Sequence, residues 1–115
     1  MWDAQARRDT VVVLPEEIDL INAARVGEQL ILTVRDGSTT IADMTATTFC
    51  DCAGARAIVG AHRCAADSGA ELCLVVTEEP VRRVLGLLRI DHLLATYPSL
   101  AAARARPGPI AWQTP

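Results

Sequence analysis

Cys50-Asp51-Cys52 places two thiols on either side of a carboxylate, and Ala53-Gly54-Ala55 follows directly. A thiolate is a nucleophile, a metal ligand and a redox centre. The segment Thr47–Ala55 reads as a β-strand that ends abruptly at Asp51 and turns straight into a helix, with Asp51 as its N-cap. Such a turn presents free backbone N–H groups to an anion or a partner. Cys52 then falls in the first helical turn, where the helix dipole favours a thiolate. Oxidation there to a sulfenic or sulfinic acid makes Cys52 a redox candidate, with Cys50 beside it. The bland reading of Cys52 is a small residue. A metal site needs about four ligands, and His62 and Cys64 bring no second ligand pair at recognisable spacing, so no metal is expected. A Cys50–Cys52 disulfide closes a strained ring. No nucleophile elbow, Ser/His/Asp set or phosphate-binding glycine loop is present, which disfavours a hydrolase and predicts no catalysis and no cofactor.

The elements that position this motif are read from pattern. Thr10–Leu14 is a continuous β-branched run, expected as a buried strand that Pro15 stops. Glu16–Asp19 reads as a polar turn. Residues 20–36 stay open between two readings. Val26, Leu30 and Val34 recur at helical spacing, yet Gln29–Val34, an Asp36-Gly37 turn and Thr39–Met44 also spell a hairpin. Thr39–Met44 is a strand, Cys52–Ser68 a helix ended by Gly69, and Glu71–Val76 a strand buried on both faces. Pro80 starts a helix with Val81, Val84, Leu85 and Leu88 on one side and Arg82, Arg83 and Arg89 elsewhere. Leu93–Thr96 is a candidate edge strand, and Ser99 caps a last helix running through Ala105. Residues 1–9 read as a polar arm or edge strand, 10–106 as the domain, and 107–115 as a tail.

A chain of 115 residues fits one domain. Half its residues are hydrophobic and only Trp2, Phe49, Tyr97 and Trp112 are aromatic, so the core is aliphatic and an α/β domain is expected. The net charge of −3 with no basic stripe argues against nucleic acid as a partner. No apolar run approaches the ~20 residues that span a bilayer, and the N-terminus has no signal-peptide core. No membrane association and a cytoplasmic location are therefore expected, with the four cysteines reduced and mostly structural.

The ordered motifs resemble the STAS domain family, the bacterial anti-sigma factor antagonists, from roughly Thr10 to Ala105. Glu16-Glu17-Ile18-Asp19 resembles the family's Gly-Glu-Leu/Val-Asp, with Glu in place of Gly. Ile41–Met44 through Thr48–Ala55 resembles its strand, loop and Asp-Ser-Ser-Gly-Leu helix start. Val81–Leu85, Leu93-Leu94 and Tyr97–Ala103 resemble its third helix and C-terminal part. The resemblance implies a small STAS-like α/β domain: a four- to five-stranded, mostly parallel mixed sheet with about four helices packed mainly on one face. It favours the helix over the hairpin, with Gly37 as its C-cap.

The resemblance also implies a function. In the family the second Ser of Asp-Ser-Ser-Gly is phosphorylated by an anti-sigma factor kinase, and the added charge breaks the complex. Here that phospho-acceptor position is Ala53, which has no hydroxyl, and Cys52 replaces the first Ser. The expected function is that of an anti-sigma factor antagonist binding a kinase-like anti-sigma factor through Asp19, Asp51, Cys52, Ala53 and Gly54. A redox-sensing module using Cys52, and a structural subunit of a signalling assembly, are the alternatives, and a homodimer is left open. Thr45, Thr47 and Thr48 lie near enough to the turn to be weighed as other phosphate acceptors.

Overall fold

A computed structural model describes residues 9–106 apart from Asp36 and Ser38. The expected arm (residues 1–8) and tail (107–115) lie outside the described residues. Strands β1 (Asp9–Val13), β3 (Thr39–Met44), β5 (Glu71–Val76) and β6 (Thr96–Tyr97) form one sheet in that order. Strands β2 (Glu17–Ile18) and β4 (Phe49–Cys50) form a second, two-stranded sheet. Helices α1 (Ala23–Val34), α2 (Cys52–Asp67), α3 (Glu79–Leu87) and α4 (Leu100–Arg104), with a 3₁₀ turn at Ile90–His92, complete the chain. Every described strand pairing is parallel, so no antiparallel strand makes the sheet mixed among the described residues.

Side chains alternate across β5, which explains its unbroken apolar run. Leu72, Leu74 and Val76 join Leu30, Val34 and Ile58 under the first two helices, with Val81 and Leu85 of α3. Cys73 and Val75 point to the opposite face, where Ile41, Leu100 and Ala103 meet them. Three helices therefore cover one face and the short α4 covers the other. Helix α1 packs closely on α2: a Cβ on Gly27 would lie 3.3 Å from the Cβ of Ala57.

The open reading of residues 20–36 resolves as a helix. Val26, Leu30 and Val34 are its buried stripe, and Gly37 follows its C-terminus at φ +84°, donating its N–H to the Val34 carbonyl. Three expectations change. The run at β1 is the sheet's edge strand rather than a buried one, and Val13 is 65% exposed, because β1 pairs only with β3 among the described residues. The polar turn at Glu16–Asp19 contains β2, and the loop before Asp51 ends in β4; these two-residue strands exist through pairing with each other, not through periodicity. The edge strand expected at Leu93–Thr96 lies at Thr96–Tyr97, because the N–H groups of Leu93 and Leu94 both donate to the Ile90 carbonyl as the 3₁₀ turn closes, and Ile90 and Leu94 are buried.

Candidate functional site

The β2–β4 pair brings two connections together beyond the carboxyl ends of β1 and β3. Glu17 pairs with Phe49 and Ile18 with Cys50, and the Asp51 N–H donates to the Ile18 carbonyl at 3.1 Å. The Thr47 hydroxyl donates to the Pro15 carbonyl at 2.8 Å and ties the same two connections. That side chain is fully buried, which removes Thr47 from the phosphate acceptors.

Asp51 caps α2 as the sequence implies: the Gly54 N–H donates to its Oδ1 at 3.0 Å. Gly54 is fixed by space. A Cβ there would lie 2.7 Å from Ile18 Cγ2 and 2.8 Å from Cys50 Sγ. The helix start thus sits directly on β2 and β4. Asp19 opens the other connection. Its Oδ1 accepts from the Ile21 N–H and its own N–H donates to Asn22 Oδ1, both at 3.0 Å. The Asn22 side chain in turn donates to the Glu17 carbonyl at 2.8 Å. This small network holds the loop Leu20-Ile21 outward, with Leu20 80% and Ile21 88% exposed. Phe49 is half exposed on the outer side of β4.

Four of the five expected partner-binding residues, Asp51 through Gly54, share the helix start, and Asp19 joins through the β2–β4 pairing. Cys52 and Ala53, adjacent in sequence, open onto different flanks of α2. Ala53 lines a groove of about 370 Å³ between α2 and α1, walled by small residues such as Ala23, Gly27, Ala57 and Gly60. Cys52 lines a groove of about 450 Å³ between α2 and the α3–3₁₀ segment. A charge placed on Cys52 therefore faces another groove than one at residue 53.

The cysteines separate by environment. Cys52 is exposed and Cys64 half-buried, whereas Cys50 and Cys73 are buried. Burial first, then the Asp51 charge, then Cys52, push the Cys50 thiol up to about 11. That favours the neutral thiol, so Cys52 is the better exposed of the two redox candidates. Among the described residues no three His, Cys, Asp or Glu side chains are grouped to hold a metal ion. The pattern reading missed Leu20, Ile21 and Phe49. Two large apolar residues between turn-forming Asp19 and Asn22 were the available signal.

The sequence profile of the STAS domain matches residues 1–103. The chain belongs to the STAS domain family. Solved structures share the STAS fold with it. An anti-sigma factor antagonist from Mycobacterium paratuberculosis superposes with a TM-score of 0.74 at 22% identity, covering 83% of this chain and 81% of that one. A Thermotoga maritima protein described as a candidate anti-sigma factor antagonist gives 0.70 at 21% identity, covering 81% of this chain and 83% of that one. The NMR structure of that same Thermotoga maritima protein gives 0.71 at 21% identity, covering 83% of this chain and 78% of that one. No curated protein sequence matches this STAS chain. Among its described residues no helix is long and apolar enough to cross a membrane.

Proposed function

We propose that this STAS domain is an anti-sigma factor antagonist that acts by binding, not catalysis, and that its partner is a kinase-like anti-sigma factor. The contact surface is the turn Asp51–Gly54, the start of α2 and the Glu17–Asp19 connection with Leu20 and Ile21. One observation carries this reading. The β2–β4 pairing sets an outward apolar pair, Leu20-Ile21, beside a capped helix start. Exposed apolar side chains on a polar rim are the composition of a protein contact. The description of the Mycobacterium paratuberculosis and Thermotoga maritima neighbours as anti-sigma factor antagonists supports the same reading.

Ala53 stands half-exposed at the second residue of α2 and offers no oxygen to a kinase. An antagonist of this kind stays bound when its partner holds ATP. The test uses the reduced protein as bait in lysate of its own organism, followed by ATP and the partner with the Ala53→Ser variant. Recovery of a kinase-like ATPase domain that phosphorylates Ser at position 53 supports the reading. Recovery of copies of the same chain alone contradicts it. A second reading rests on the exposure of Cys52. It takes Cys52 as a redox switch, and labelling of Cys52 by a thiol probe no faster than Cys64 or Cys73 rules it out.

A further inference from the structure

The groove between α2 and the α3–3₁₀ segment begins at Cys52, at the turn, and runs along α2; Leu20 and Ile21 do not line it. Its walls are apolar: Ala55 and Val59 of α2 face Leu88 and Ile90. Arg56 and Arg63 stand along the α2 wall, both exposed, and neither joins an ion pair among the described residues. They are seven residues apart, so they lie on one stripe about 10 Å from each other, two helical turns. Arg89, the described non-glycine residue held at positive φ (60°), lies between the wall residues Leu88 and Ile90. It is the left-handed residue that ends α3, its N–H donating to the Gly86 carbonyl at 3.0 Å.

The apolar surface does not stop at the groove. Leu87 beside it is 77% exposed. Leu93 lines a further depression of about 190 Å³ against His62 and Ala66, on the same helix α2. A small molecule fills a single pocket; this surface follows α2 for most of its length.

We propose that this groove docks an acidic amphipathic helix of a partner protein. Two arginine forks one heptad apart match two carboxylates one heptad apart on a helix laid along α2, each held by paired hydrogen bonds. The apolar face of that helix covers Leu88, Ile90 and Leu93, the arrangement of a helix seated in a groove. The chain carries a net charge of −3 and yet has this local cationic stripe, so an acidic segment is drawn to this flank and repelled elsewhere. The inference does not depend on the partner being a kinase.

The test is fluorescence anisotropy with labelled helical peptides of about four turns. One set carries Leu on one face and Glu at positions i and i+7; a matched set carries Lys in place of Glu. The full chain binds the Glu set saturably, more weakly as salt is added, and does not bind the Lys set. Arg63→Glu weakens the Glu set at least about tenfold and gains binding to the Lys set. Arg25→Glu, the same charge change on exposed α1, leaves both unchanged. Melting curves of the two variants check that each is folded. Absence of saturable binding to the Glu set overturns the proposal, as does an equal loss in Arg25→Glu and Arg63→Glu. A dimer in sedimentation that Arg63→Glu dissociates, with no peptide bound, assigns the groove to a second copy and overturns it as well.

Discussion

Gly54 carries the tightest constraint at the turn. The missing Cβ is what lets α2 begin against Ile18 and Cys50, and Ile18 is β-branched and stiff at χ1. Gly54→Ala should cost about 3 kcal/mol in urea unfolding, because a methyl forced into filled space strains its surroundings. Cys50 beside it predicts a pH dependence. Its ordinary value is 9.0 and the fold raises it to about 11. Between those two values the unfolded chain has released the thiol proton and the folded chain has kept it. Stability from this group is thus fully present below pH 9 and fades as pH rises through about 11, by roughly 3 kcal/mol at most. Urea unfolding at about pH 8 and about pH 10.5 should show the loss in the wild type and a flatter response in Cys50→Ala.

Helix α2 links the sheet to the site, since one stripe of it (Ala55, Ile58, Ala61 and Ala65) is buried while Cys52, Arg56 and Arg63 face outward. Ile58 is fully buried, so Ile58→Ala should lower stability by about 3 kcal/mol through lost burial and a residual cavity, read as a lower melting temperature. This helix, β5 and α3 were legible in the sequence because each has a clear period or a clean apolar run. Strand β2 was not, and β4 was legible only as a strand ending at Asp51, without its partner. Two residues have no period, and they become strands only when the fold places Glu17 against Phe49. The site was legible to the same extent. Asp51 and Gly54 declare themselves as cap and tight approach, whereas Ala53 draws notice only through the family resemblance. That Cys52 and Ala53 open onto different grooves is set by helix packing, as is the outward turn of Leu20 and Ile21, and no residue type encodes it.

At the scale of the whole molecule, Asp9 and Arg106, which bound the described residues, are tied together on the α4 side of the sheet. Arg106 donates to Asp9 Oδ1 at 2.9 Å and to the Ala103 carbonyl at 2.7 Å, and both charged side chains are buried. This fastens α4 to the edge strand β1, with Glu71 of β5 at 3.6 Å from the same guanidinium. Asp9→Asn removes the carboxylate charge paired with the buried Arg106 guanidinium and should cost about 3 kcal/mol in thermal unfolding. It lies far from the turn in the fold, so it should leave partner affinity unchanged in protein that is still folded. In the proposed function, the Asp51 turn and the Leu20-Ile21 loop form one binding surface for a kinase-like anti-sigma factor. Isothermal titration of that partner's ATPase domain, from the same organism, against wild type and Ile21→Asp tests it most directly. The account predicts saturable binding that persists with ATP and weakens at least about tenfold in Ile21→Asp, since a charge is then buried at the contact. No binding by the wild type, or equal affinity in Ile21→Asp, would contradict it.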